Sequence, residues 1–215
     1  MSFLNELKSQ AGILKSQQAV VLKGSEQSTA MVEGACRIAL HYLDDLARQL
    51  NVIGPAAPRF SLDGKVVWPA MKLTSFCTDS RKKTLRDREV FDHITLGWQV
   101  LPQVGPPVGG VVSVNFPPDL ERVESRLASG WVKHEREEVR HADKNTLLAV
   151  RFAYLTKSRG NVTLTPDHDS GQIAFRLLNT AGFGVIKASW PADQINSGVL
   201  DELAKLIVSQ PSRFV

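Results

Sequence analysis

The densest group of side chains that could bind a ligand is a basic run at residues 81–88. It carries five cations against one acid, and the cations are Arg81, Lys82, Lys83, Arg86 and Arg88. Guanidinium and ammonium groups in an exposed turn can contact the phosphates of a nucleic acid. However, the run has no aromatic neighbours on which bases could stack, and a charged hairpin tip is commonly only a solvated turn. The run therefore has two interpretations, an anion-binding or nucleic-acid-binding loop and a solvated turn.

Two further groups have the residue types for catalysis or metal binding. Cys77 and His93 are equidistant from Leu85, so a symmetric hairpin would bring them together as a nucleophile and its base. No third residue can be named to orient the histidine, and a buried cysteine beside a strand histidine is the ordinary alternative. The residues at 167–169 are Asp-His-Asp, but they stand between Pro166 and Gly171, where Asp is favoured in turns for backbone reasons. We interpret them as a turn.

The sequence contains none of the strong enzyme signatures. It has no phosphate-binding loop, no dinucleotide-binding glycine motif, no Gly-x-Ser-x-Gly elbow and no His-Glu-x-x-His zinc motif. Cys36 and Cys77 are its only cysteines and lie in dissimilar contexts, so a Cys-x-x-Cys site is absent. We predict no cofactor, no metal and no catalytic residue, which favours a non-enzymatic protein.

Composition bounds the class of protein. The chain has 215 residues, of which 43% are hydrophobic, and these values are ordinary for a domain with a core. The net charge of +4 is spread thinly outside the basic run. The N-terminus lacks the pattern of a signal peptide, and no apolar run is long enough to span a bilayer. We predict a cytoplasmic protein that does not bind membranes.

The periodicity of apolar residues predicts helices at both ends of the chain. A stripe in residues 3–14 is typical of a short amphipathic helix, and Gly24-Ser25 is expected to separate it from a longer helix over residues 25–50. Prolines 55 and 58 end this helical arm. Another helix is expected over residues 118–129, stopped by Gly130, and a last one over residues 194–209.

Alternating patterns predict strands between these helices. Asp63-Gly64 indicates a tight hairpin between residues 59–62 and 65–68. Further strands are expected at 71–78, 90–101 and 111–116, followed by a meander at 131–140, 146–156, 162–165, 172–178 and 183–188. Because turns and not helical crossovers join these strands, the pattern predicts an α+β fold with a mainly antiparallel sheet.

The chain also resembles itself. Residues 110–119 align without gaps with residues 184–193, and residues 76–81 align with 154–159. In each copy of the first match an aromatic residue should anchor a strand end, and Asp119 or Asp193 should cap the next helix. We predict an internal repeat with three parts in one compact body: a helical arm (1–58), a first strand-rich unit (59–130) and a second one (131–215). Ser80-Arg81 and Ser158-Arg159 would then occupy equivalent turns, which adds Arg159 to the candidate anion-binding residues.

Three hypotheses about function follow. The first is a non-catalytic protein-binding or scaffold protein, whose sheet and helical arm form a surface for another protein or for a second copy of the chain. The second is phosphate or nucleic-acid binding through residues 81–88. The third is an enzyme with an unrecognised site near Cys77 and His93.

Overall fold

The computed structural model describes the backbone from Phe3 to Val215 and the side chains from Gly24 onward. Its elements in chain order are α1 (Phe3–Ile53), β1 (Met71–Leu85), β2 (Arg88–Pro102), β3 (Gly109–Val114), α2 (Pro117–Ser129), β4 (His134–Arg140), β5 (Leu147–Leu155), β6 (Ser158–Asp167), β7 (Gln172–Leu178), β8 (Val185–Pro191) and α3 (Ser197–Ile207). A short 3-10 helix, Ala192–Gln194, precedes α3. All strand pairings are antiparallel, and the α+β prediction is confirmed.

The N-terminal helix is continuous, so the predicted break at Gly24-Ser25 is wrong. A glycine inside a helix costs about 1 kcal/mol, which the packing further along α1 offsets. That packing uses one stripe of buried side chains, listed here: Val32, Ala35, Cys36, Ala39, Leu43, Ala47 and Leu50. The amphipathic stripe expected in residues 3–14 lies outside the residues whose side chains are described.

Five strands form the larger sheet, in the order β1-β2-β6-β7-β8. One face packs against α1 and α3 and is apolar, and the expected alternation along β2 is confirmed because Ile94, Leu96, Trp98 and Val100 are all buried. The opposite face carries the intervening polar residues. We call this side the outer face of the five-stranded sheet.

Three strands form the smaller sheet, in the order β3-β5-β4. Its inner face carries Val112, Phe152 and Tyr154, which belong to the same buried cluster as Val123 and Leu127 of α2. One continuous cluster of buried side chains thus joins both sheets and all three helices. The alternate residues of β3 and β5 lie on the outer face of this sheet.

The segment around Asp63-Gly64 turns as expected, but its flanks are not strands. Gly64 has a φ of +83°, and the Trp68 N–H donates to the Phe60 carbonyl at 2.8 Å. The Asp63 carboxylate accepts from the backbone N–H groups of Lys65 and Val66, each at 2.8 Å. Because the side chain takes these donors, the predicted strands are replaced by an Asp-centred turn.

The basic run is not a loop. Strands β1 and β2 continue through it and are joined only by Arg86-Asp87, whose φ angles are +50° and +60°. Two consecutive residues with positive φ form the tight turn whose twist matches a two-stranded antiparallel ribbon. Both strands are therefore longer than predicted, and Arg81, Lys82 and Lys83 lie on β1.

The helix ends also differ from expectation. Gly130 has a φ of −82°, and the left-handed residue beyond α2 is Trp131, with a φ of +52°. Gly130 is instead a point of close approach, because a Cβ there would lie 2.4 Å from the Phe183 ring. Neither Asp119 nor Asp193 caps a helix, and the side chain that does is Asn196, which accepts from Val199 N at 3.2 Å.

The two segments of the predicted repeat are each a strand followed by a helix, but their surroundings differ. β3 pairs with β5 in the small sheet, whereas β8 pairs with β7 in the large one. Phe116 is 58% exposed and anchors nothing, while Trp190 packs on Phe214 with ring centroids 5.8 Å apart. Residues 158–161, expected as a turn, begin strand β6. The anchoring role of Phe116 and the paired turns are wrong; the duplication and its domain boundaries stay predictions.

Candidate binding surfaces

The cations of the basic run are largely paired with carboxylates. Arg81 lies 3.6 Å from Asp79, Lys82 lies 3.7 Å from Glu89, and Lys83 lies 3.2 Å from Asp92. The pKa of Asp92 is lowered by hydrogen bonds from His93 and then from Lys83. Arg86 pairs with Asp169, which leaves Arg88 as the one cation of the five without an ion pair to a described residue. An anion approaching this hairpin would compete with these carboxylates, which weakens the interpretation of residues 81–88 as a phosphate site.

The Asp167-His168-Asp169 segment is the β6–β7 turn, as predicted. The Asp167 carboxylate accepts from the backbone N–H groups of Asp169 and Ser170, at 3.1 and 3.2 Å. His168 is buried and its Nε2 lies 2.8 Å from the Phe91 carbonyl. Because a carbonyl can only accept, Nε2 carries the proton. The segment therefore fastens the turn to the β1–β2 hairpin, and the described residues contain no cluster of three metal-ligating side chains.

The Cys77 and His93 pairing is wrong. Cys77 is opposite Gly97, and His93 is opposite Arg81, so the two residues are four positions out of register. Most of the difference arises from the turn, which is centred between Arg86 and Asp87 and not on Leu85, so that the partner of Cys77 shifts by three positions. A bulge at the Arg81–Lys82 step adds the fourth position. A second bulge, at Ser75 with a φ of +56°, lies beyond Cys77 and does not change this register. Asn51 of α1 holds this second bulge: its side chain accepts from Phe76 N at 2.7 Å and donates to Phe76 O at 2.8 Å. Four residues of strand correspond to about 13 Å, too far for a nucleophile and its base.

The two thiols should differ sharply in reactivity. Cys77 is exposed, whereas Cys36 is buried in the α1 interface. Burial, and to a smaller degree the nearby Glu33 carboxylate, raise the pKa of Cys36 to about 12. We expect iodoacetamide to label one thiol in the native protein, Cys77, and both after unfolding, as counted by intact mass. Labelling of Cys36 in the native state would contradict the packing of α1.

The raised pKa of the Cys36 thiol makes the stability of the fold depend on pH. Above pH 9 the unfolded chain loses the Cys36 proton while the folded chain keeps it, so stability falls as pH rises from 9 towards 12, by up to about 1.4 kcal/mol per pH unit. The Cys36→Ala variant should show a flatter alkaline profile.

A shallow groove crosses the outer face of the three-stranded sheet. Its volume is about 390 Å³, and apolar surface dominates it. The small residues Gly109 and Ala153 make its floor, between the exposed side chains of Val111 and Leu155, and Glu135 stands at one side. Apolar groups open to water in such a groove mark a place where another molecule can bury them.

Strand β3, which borders this groove, is an unprotected sheet edge. Its sequence is Gly-Gly-Val-Val-Ser-Val, with neither charge nor proline. The other three edge strands are protected: β4 carries five charges, β1 has a run of lysines and arginines, and β8 has Lys187 and Pro191. Proteins usually place such residues on edges to prevent strand addition. In the described part of the chain no backbone hydrogen bond is made on the side of β3 away from β5.

Arg159, the other predicted anion-binding residue, lies at the start of β6. Its guanidinium carbon is 5.5 Å from the centre of the Trp131 ring. Trp131, Arg176 and Lys187 are surface residues that the sequence reasoning missed. The one signal for Trp131 was an isolated tryptophan directly after the glycine at the end of α2.

We compared the chain with protein-family models, with curated proteins and with solved structures, and none of them matches it. Among the described residues no helix is both long and apolar enough to cross a membrane.

Proposed function

We propose that the chain is a non-catalytic, cytoplasmic protein-binding protein, and that its binding surface is the β3 edge with the adjoining groove of the three-stranded sheet. The partner we infer is an extended segment of another protein that pairs with β3 as an added antiparallel strand. The observation that carries this proposal is the free, uncharged β3 edge beside an apolar groove. Strand addition is a recurrent mode of peptide recognition in which backbone hydrogen bonds supply the affinity.

The groove would supply the specificity. Side chains of an added strand alternate between the two faces, so every second one would lie on the outer face beside Val111. A groove of about 390 Å³ has room for a large apolar side chain between Val111 and Leu155. A partner segment with alternate aliphatic or aromatic residues therefore fits better than a polar one.

The chemistry of the groove favours binding over catalysis. His134 holds its Nδ1 2.8 Å from the Val132 carbonyl, which fixes the ring. The pKa of Tyr154 is raised, chiefly by burial, so its hydroxyl stays protonated at neutral pH. No nucleophile with an adjacent base is present among the residues that line the groove.

A peptide-selection experiment tests this proposal. We expect a random peptide library panned on the full chain to enrich sequences with alternating apolar residues. Val111→Lys should weaken their binding at least about tenfold, because an ammonium group would be buried against apolar side chains. Fluorescence anisotropy with a labelled selected peptide measures the effect.

The matched control is Val104→Lys. Val104 is 88% exposed in the connection before β3 and lies outside the groove. Peptides that bind Val111→Lys as tightly as the wild type would overturn the proposal. Light scattering on the same samples, with and without residues 1–22, tests whether the edge binds a second copy of the chain instead of a different protein. A second copy is indicated if the wild type forms a dimer that persists without these residues but is lost in Val111→Lys.

A further inference from the structure

The outer face of the five-stranded sheet carries three cations, Arg159, Arg176 and Lys187, that form no ion pair with a carboxylate of residues 24–215. A row of paired residues crosses it, listed in order of strands as Asp79, Thr95, Thr163, Arg176 and Lys187. Thr95 and Thr163 have their hydroxyl oxygens 3.5 Å apart, which confirms that the row shares one face. The acid of the row, Asp79, lies at the β1 edge and pairs with Arg81.

Arg176 and Lys187 are directly opposite each other on β7 and β8. Like charges at directly opposed positions destabilise an antiparallel pair, since their side chains start only about 5 Å apart. Neither residue forms an ion pair with a described carboxylate, and both are exposed. Because no carboxylate in the described part of the chain compensates for this repulsion, the pair of cations indicates a function such as ligand binding.

Trp131, at the same face, has a backbone conformation that is unusual for a bulky residue. Its φ is +52°, a region that bulky residues rarely adopt, and the residue is 69% exposed. Arg159 contacts the ring, and the loop is fixed to the sheet because Arg159 N donates to Gly130 O at 3.1 Å. The tryptophan is thus held beside β6 with much of its ring available to a ligand.

These groups lie along one path. Arg159 and Thr163 are four residues apart on β6, about 13 Å, and Arg176 is on the neighbouring strand opposite Thr163. The path therefore begins at an aromatic ring and continues through three cations to the β8 edge. The Thr163 hydroxyl lies on this path, and the Thr95 hydroxyl lies beside it on β2.

We propose that this face binds single-stranded nucleic acid, with Arg159, Arg176 and Lys187 contacting phosphates and Trp131 stacking on a base. The positive charge is complementary to a phosphodiester chain, and a cationic track with an aromatic platform is the usual construction for single strands. An acidic protein segment would satisfy the cations but would leave Trp131 without a planar partner. The site is distinct from residues 81–88, and it does not share surface with the β3 groove.

The experiment measures affinity of the full chain for a labelled oligothymidylate of about 15 nucleotides by fluorescence anisotropy across a salt series. Three phosphate contacts predict a slope of about −2 for log K against log salt concentration. The double variant Arg176→Gln/Lys187→Gln should bind at least about tenfold more weakly at low salt, with a slope near −0.7. Lys65→Gln/Lys144→Gln removes two exposed cations elsewhere and should leave both values unchanged.

Trp131→Gly separates stacking from folding. Glycine adopts positive φ readily, so this variant should fold at least as well as the wild type while binding about tenfold more weakly with the slope unchanged. Trp131→Phe should restore most of the affinity. Oligothymidylate should also quench tryptophan fluorescence in the wild type and not in Trp131→Gly.

Three results would overturn the proposal. One is the absence of binding at low salt, and another is equal weakening by the Lys65/Lys144 control. The third is polyglutamate competing as effectively as oligothymidylate while Trp131→Gly has no effect, which would assign the face to an acidic protein partner.

Discussion

Replacing Gly160 with alanine should lower the free energy of unfolding by about 3 kcal/mol. Gly160 of β6 is opposite Trp98 of β2, and the indole lies over the glycine. A Cβ at position 160 would be 2.4 Å from two atoms of that ring. Trp98 is buried and packs on Phe76 with centroids 5.7 Å apart, so it cannot move aside without disturbing the core under α1.

Urea denaturation followed by circular dichroism measures this effect, and the chain offers a matched control. Gly97 is on the neighbouring strand, and the nearest atom to a Cβ there would be Cys77 Sγ at 4.0 Å, an ordinary contact. Gly97→Ala should therefore shift the midpoint little. Equal loss in both variants would mean that strand propensity, and not the Trp98 contact, determines the cost.

The Gly160 contact matters for both proposed surfaces because of where β6 lies. It is the middle strand of the large sheet, and a two-residue connection joins it to β5 of the small sheet. Arg159, which contacts Trp131, directly precedes Gly160. Loss of the Trp98 packing should consequently loosen the proposed nucleic-acid-binding face, which includes Arg159, before it affects the β3 edge.

Local periodicity was enough to predict most elements of this fold. The alternation of Ile94, Leu96 and Trp98 identified β2 and its buried face, because each side chain on a strand is placed by its own position along the chain. Helix α2 was predicted to within one residue for the same reason. Residues close together in the sequence are sufficient to determine these properties.

The register between strands and the contacts between distant residues were not predictable from local periodicity. The distance between Cys77 and His93 depends on the turn being centred between Arg86 and Asp87 and on a bulge at the Arg81–Lys82 step. The other bulge of β1, at Ser75, is held by Asn51 from another element. The run of cations at 81–83 looked like a loop because charge disfavours burial, but an edge strand of a two-stranded ribbon tolerates charge on both faces. Contacts made by distant residues leave no pattern in the local sequence.

The two candidate surfaces also depend on contacts that local sequence does not reveal. The uncharged sequence of β3 is typical of a buried strand, and only the sheet order shows that this strand is an edge. Arg176 and Lys187 are ordinary isolated cations in the sequence, and become notable because β7 and β8 place them opposite each other. Trp131 becomes a candidate binding residue only because Arg159 contacts its ring.

The second large effect should follow from His168→Ala, with a loss of about 3 kcal/mol in the free energy of unfolding. The imidazole is 3% exposed and donates to the buried Phe91 residue's carbonyl at 2.8 Å, while the Phe91 N–H donates to Glu33 of α1 at 2.7 Å. Removing the ring leaves that carbonyl without a partner and opens a cavity between the β6–β7 turn and the start of β2.

Two further variants divide this loss into its parts, each measured by urea denaturation. His168→Leu fills most of the volume without a donor, so the difference between it and His168→Ala reports the cavity, and its remaining deficit reports the hydrogen bond. Asp169→Asn alters the exposed pair with Arg86 in the same turn and should barely move the midpoint. If His168→Ala were as stable as the wild type, the ring would not be fastening the turn to β2, and a chemical role for the Asp-His-Asp segment would again need to be considered.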